Sequence, residues 1–231
     1  MVGWAVWEAD WCLCFCVSPA GGSRSLTLMR RTGTLPDLPC VLVFSDHSGA
    51  AGVVVPRVAE LVGAEIARAG SRDTFVLGDS AGGQIALSSA IHLRDNNSEQ
   101  PSRVFLIAPV LDTAMGNPGI AAVAPKDPWL SCAGIHVYPR HWRGHLSLDD
   151  PFVSPLSAAL EGLTELTIFS GTRDILNPDA RLLASKATAA GVDVDYVQGE
   201  GMVHVYPLLP NPEGRAARRR IVDTINGTRG P

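Results

Sequence analysis

Charge is scarce in this chain. Asp, Glu, Lys and Arg make up 18% of its 231 residues and leave a net charge of −4. The shortage of positive charge excludes a nucleic-acid backbone as the main partner, because phosphate recognition needs a basic surface. Disorder is excluded too, since 46% of the residues are apolar, enough for a packed core. Long apolar runs are missing: none reaches the roughly 18 residues that cross a bilayer, so no transmembrane segment is expected. Cysteines are few and odd in number, at positions 12, 14, 16, 40 and 132. They form no disulfide framework, which points to a reducing, cytoplasmic setting. Cys12, Cys14 and Cys16 have no nearby His or fourth Cys to complete a tetrahedral metal site. No metal and no organic cofactor are therefore expected. The early apolar stretch has no basic residue before it and is broken by Glu8 and Asp10, unlike a secretory signal. No internal repeat is present.

What the chain does have is alternation. Residues 1–39 form an atypical leader, with Trp4, Trp7 and Trp11 beside the Cys run. From residue 40 the pattern is that of one α/β domain, a size suited to a single core. Strands are predicted at 40–44, 74–77, 104–107, 166–169 and 192–197. Helices are predicted at 56–69, after Ser80, at 178–190 and at 213–226. In residues 56–69, Val58, Leu61, Val62, Ile66 and Ala69 take one face, and Arg57, Glu60, Glu65 and Arg68 the other. Such alternation implies a mainly parallel sheet flanked by helices, with functional groups at the carboxyl ends of the strands. One segment breaks it. Residues 112–155 are rich in Pro and Gly and too long for a simple connection, so a lid insertion is expected there. Its aromatics Trp129, Tyr138 and Trp142 are candidates to line an apolar substrate pocket, and His136, His141 and His145 lie in the same segment.

The strongest local signal is Gly78-Asp79-Ser80-Ala81-Gly82-Gly83 between a strand and a helix. A Gly-x-Ser-x-Gly run in that context is a nucleophile elbow. Small neighbours allow the sharp turn, which lifts the Ser80 hydroxyl clear of the sheet. The N–H groups of Ala81 and Gly82, at the start of the helix, face where an oxyanion would form. A serine nucleophile needs a base, and the base needs a carboxylate to orient it. His204 follows the last predicted strand in Gly199-Glu200-Gly201-Met202-Val203-His204. Asp174 follows the fourth strand in Ser170-Gly171-Thr172-Arg173-Asp174, and Asp179, inside the following helix, is the second candidate. The chain order Ser80, Asp174, His204 differs from that of the chymotrypsin and subtilisin triads. The alternative for each of the last two is an ordinary turn cap and an ordinary loop histidine.

From about Leu35 to Ile225 the chain resembles the hormone-sensitive-lipase-like branch of the α/β-hydrolases, a family of bacterial carboxylesterases and lipases. The resemblance rests on the elbow at 78–83, on Asp150-Pro151-Phe152-Val153-Ser154-Pro155-Leu156, on Gly171-Thr172-Arg173-Asp174 and on His204-Val205-Tyr206-Pro207. It implies an α/β-hydrolase fold, a small-molecule ester substrate, and Ser80, Asp174 and His204 as nucleophile, acid and base.

One family feature is missing. The family carries a His-Gly-Gly-Gly loop upstream of the elbow, whose N–H groups complete the oxyanion hole, and this sequence has no such run. His47-Ser48-Gly49-Ala50 is the nearest approach, and Gly21-Gly22 has no His before it. The early strands expected before residue 40 also have no clear counterpart, which would leave a sheet edge open to homodimerisation. Two functional readings follow. The first is a serine hydrolase cleaving carboxylic esters of short to medium acyl chains through an acyl-enzyme on Ser80. The second is a catalytically impaired remnant acting as a binding or structural protein. Peptidase or acyltransferase chemistry on the same three residues is a third, because fold alone does not choose the acceptor.

Overall fold

The computed structural model describes residues 5–8, 11–14, 40–43, 50–135 and 137–227. Two short strands, β1 (Ala5–Glu8) and β2 (Trp11–Cys14), pair antiparallel as a sheet of their own. The main sheet has five parallel strands in the order β3 (Cys40–Val43), β4 (Phe75–Asp79), β5 (Arg103–Ile107), β6 (Glu165–Gly171) and β7 (Val194–Gly199). Spatial order follows chain order, as right-handed helical crossovers between adjacent parallel strands allow.

Strand residues alternate between two apolar layers. Val76, Val104, Leu106, Leu166 and Ile168 join the larger cluster, with α1 (Ala51–Ala69), α2 (Ala81–Asp95) and α6 (Asn177–Ala189). Phe75, Leu77, Phe105, Ile107 and Phe169 point the other way, onto α7 (Pro212–Ile225). Both faces are thus covered, which is why the strands read as continuous apolar runs.

Helix α1 begins at Ala51, five residues before the predicted start. Pro56 lies inside it, in the second turn, and its missing N–H forfeits one backbone bond. The five predicted strands and the helices at 178–190 and 213–226 fall within two residues of expectation. Helix α2 is longer than the apolar run after the elbow indicated, and β4 runs on to Asp79, directly under the elbow.

Among the described residues, 112–155 contain only short helical pieces: α3 (Ile120–Val123), α4 (Cys132–Ile135) and α5 (Tyr138–Trp142), with a 3₁₀ turn at Ala124–Lys126 and another, Pro155–Ser157, beginning at the segment's end. This cap is fastened at both ends. At its start, the Thr113 N–H donates to Ser154 Oγ at 3.0 Å, and the Leu156 N–H to the Leu111 carbonyl at 3.1 Å. At its end, Ser88 Oγ and Gln84 Nε2 of α2 donate to the carbonyls of Pro151 and Val153. The Asp-Pro-x-x-Ser-Pro-Leu run is therefore a brace between α2 and the loop after β5.

Candidate active site

Ser80 joins β4 to α2 at φ 52° and ψ −119°, a backbone conformation that non-glycine residues rarely adopt. Its neighbours permit it. A Cβ on Gly78 would lie 2.2 Å from the Gly82 carbonyl oxygen, and one on Gly83 would lie 2.8 Å from Pro109 Cβ. The turn is also tied from outside, since the Ser80 N–H donates to the Ile107 carbonyl at 2.9 Å and the Val110 N–H to the Ser80 carbonyl at 3.0 Å.

Three loops at the carboxyl ends of β4, β6 and β7 bring the predicted residues together. His204 Nε2 lies 3.0 Å from Ser80 Oγ, and His204 Nδ1 lies 2.8 Å from Asp174 Oδ2. Asp174 is wholly buried and His204 nearly so. The other Asp174 oxygen accepts the Leu176 N–H at 2.9 Å, so both oxygens of the carboxylate are aimed. The loops carrying Asp174 and His204 are laced together: the Arg173 N–H donates to the Met202 carbonyl at 2.9 Å, and the Gly201 N–H to Thr172 Oγ1 at 2.8 Å. With the acid on Nδ1, the free face of Nε2 can accept a proton from Ser80 Oγ.

Helix α2 begins immediately after Ser80. The Gly83 and Gln84 N–H groups close onto the Ser80 carbonyl at 3.1 and 3.3 Å. The Ala81 and Gly82 N–H groups precede them in the first turn, where a helix has no acceptor of its own to offer. Their position at the positive end of the helix suits a developing oxyanion. Next to Ser80, burial pushes the Asp79 carboxyl above the usual range, and charge on His204 works against that rise. The segment at 47–49 that most nearly approaches a His-Gly-Gly loop lies outside the described residues, as does the Gly21-Gly22 pair.

Of the three aromatics proposed for a pocket, the two whose side chains are described sit in different settings. Trp142 is 2% exposed and packs in the core cluster with Val55, Val58 and Ile91, because the cap's second half folds back over α1. Trp129 is 54% exposed on the cap surface. Tyr138 opens α5, and its side chain lies outside the described part. His141 and His145 are exposed. His136 is outside the described residues, and His92 packs edge-on against Phe152 with centroids 5.3 Å apart. Among the described residues, no group of three or more His, Cys, Asp or Glu is placed to hold a metal ion. No described helix is long and apolar enough to cross a membrane.

Sequence reading passed over one residue at this site. Asp127, in the cap, reaches the acid loop: its Oδ2 accepts the Ile175 N–H at 2.8 Å. Asp-Pro-Trp at 127–129 signals a local turn, but a contact 48 residues along the chain leaves no pattern.

Residues 54–208 match the family described as having the alpha/beta hydrolase fold. A triacylglycerol lipase of Mycobacterium tuberculosis is 31% identical over 179 residues, which are 78% of this chain and 36% of the lipase. An esterase of Acinetobacter venetianus is 29% identical over 155 residues, 66% of this chain and 51% of that protein. The chain thus spans about half or less of the length of these relatives. Among solved structures, that of EstE5 soaked with p-nitrophenyl butyrate is similar with a TM-score of 0.72 and 26% identity, over 78% of this chain and 62% of EstE5. A hormone-sensitive lipase from a metagenome library shares the fold, with a TM-score of 0.74 and 23% identity over 78% of this chain and 63% of that one.

Proposed function

The chain belongs to the α/β-hydrolase fold family, and on that premise we propose that it is a carboxylesterase or lipase-type serine hydrolase acting through an acyl-enzyme on Ser80. The observation that carries this reading is the continuous line Ser80 Oγ, His204, Asp174, with contacts of 3.0 and 2.8 Å.

In this mechanism Ser80 Oγ attacks the ester carbonyl while His204 Nε2 takes its proton. Asp174 holds Nδ1–H and offsets the charge on the imidazolium. The negative oxygen of the tetrahedral intermediate sits against the Ala81 and Gly82 N–H groups. His204 then returns the proton to the departing alcohol. Water attacks the acyl group, gives its proton to His204, and the carboxylic acid leaves as Ser80 recovers its own. No metal or cofactor takes part in these steps.

Esters of short to medium acyl chains are the substrates we assign. The relatives named esterase and lipase, and the use of a butyrate ester on EstE5, support that range. A cytoplasmic setting suits the scattered cysteines, and the edge of β3 that has no neighbour among the described residues would suit a homodimer.

The absence of a His-Gly-Gly run supports the second reading, a folded but impaired member of the family. One assay separates the two: hydrolysis of p-nitrophenyl esters of graded acyl length by the full chain and by Ser80→Ala. The esterase reading expects a rate loss on the order of 10⁴ or more in the variant. Folded protein with no Ser80-dependent turnover on any ester would sink it and leave the impaired member.

A further inference from the structure

We propose that Asp127 is a positioning residue for the acid: its carboxylate clamps the cap onto the turn that carries Asp174 and so keeps Asp174 Oδ2 on His204. The inference rests on the esterase reading above and adds a residue to that site.

The backbone of the acid turn shows why an outside partner matters. The Asp174 N–H donates to the Gly171 carbonyl at 3.1 Å, the Leu176 N–H to Asp174 Oδ1 at 2.9 Å, and the Asn177 N–H to the Asp174 carbonyl at 2.9 Å. These three close within the turn. The Ile175 N–H, next to the acid, instead finds its acceptor on the cap, at Asp127 Oδ2. Ile175 is fully buried, so water offers this N–H no ready substitute.

Asp127 is itself held in place. Its Oδ1 accepts the Trp129 and Leu130 N–H groups at 2.8 and 2.9 Å, which pins the carboxylate to its own turn. A second tie runs alongside, from Arg173 Nε to the Lys126 carbonyl at 3.2 Å. Apolar packing completes the grip, with Ile175 and Leu176 clustered against Ile120 and Ile135 of the cap. Residues on both sides of Asp174 are therefore gripped by one short stretch of cap.

Such a clamp matters for rate because both Asp174 oxygens are in use. Tilting the turn moves Oδ2 off His204 Nδ1, and misplacement of about 1 Å in a catalytic array costs on the order of a hundredfold. The clamp also requires a carboxylate. Three N–H donors converge on two oxygens, and asparagine has one oxygen. With that oxygen kept on the Trp129 turn, the amide NH₂ would face the Ile175 N–H, donor against donor.

The test uses the full chain carrying Asp127→Asn or Asp127→Ser, with Ser80→Ala as the zero for turnover. Both variants keep one oxygen for the cap turn and none for Ile175. We expect kcat to fall about ten- to a hundredfold while KM moves less than about twofold. The downfield proton resonance of the Asp174–His204 hydrogen bond should shift or weaken in both. Unchanged kcat with an unchanged resonance would overturn the proposal. A loss confined to KM would also overturn it, showing that Asp127 shapes the substrate site instead. So would failure of both variants to fold, which would make Asp127 a general stabiliser. Wild-type protein without Ser80-dependent turnover would defeat the esterase reading alone, since the resonance still reports whether the clamp holds the acid.

Discussion

Asp174 is fully buried, with one oxygen on the Leu176 N–H and the other on His204. A buried carboxylate so placed selects the imidazole tautomer that leaves Nε2 facing Ser80. Asp174→Asn keeps the shape and reverses that preference, because the amide offers Nδ1 a donor. We expect kcat to fall on the order of 10⁴ while the protein remains folded, measured with the best p-nitrophenyl ester. At this scale the sequence was informative. Ser80 was marked by its glycines, and Asp174 and His204 by their places after predicted strands. Asp127 was not, because its hydrogen bond joins segments whose proximity depends on how the cap folds.

Among elements, the decisive feature is close approach between the loops that end β6 and β7. A Cβ on Gly171 would sit 2.3 Å from the Met202 carbonyl oxygen and 2.7 Å from that of Val203. Backbone cannot yield there as a flexible side chain could. Gly171→Ala should therefore push apart the acid and base loops, since Met202 lies two residues before His204. We expect a stability loss of about 1–3 kcal/mol, read by urea denaturation, and a fall in ester turnover larger than the stability loss explains. The β6 strand and the Gly-Thr-Arg-Asp run were legible as local patterns. That the run's first glycine serves the contact with the base loop was not, because the two loops are 30 residues apart.

For the whole molecule, carboxyls that burial raises, Asp79 and Asp179, link stability to pH. Asp179, in the first turn of α6, is fully buried and accepts a hydrogen bond from Asn117 Nδ2 at 2.9 Å. Burial, reinforced by the nearby Asp112 carboxylate and opposed by the Asn117 bond, raises its carboxyl from 3.8 to about 6. The folded state thus holds a proton more tightly than the unfolded chain. This contribution to stability is complete below about pH 4 and is lost as pH rises through about 6. Asp179→Asn removes the titration and retains an oxygen for Asn117. The variant should melt at a higher temperature than the parent at pH 8, by an amount equivalent to about 2–3 kcal/mol, and the gap should close toward pH 4. Thermal melts of both proteins at pH 4, 6 and 8 would check this, and a gap independent of pH would refute it.

The sequence by itself determined the strand and helix alternation, the elbow turn at Ser80 and the chain order in which Ser80, Asp174 and His204 follow their strands. Those are local signals: period, turn residues and spacing are properties of a few consecutive residues. Tertiary structure alone decided the rest. It put Trp142 in the core and Trp129 on the surface, although the two look alike in sequence, because burial depends on which way the cap folds over α1. It made the Asp-Pro-x-x-Ser-Pro-Leu run a brace for α2, through carbonyls that any residues could have supplied. And it brought Asp127 to Ile175, where a backbone N–H, present in every residue but proline, leaves no mark in the sequence of its need for a partner.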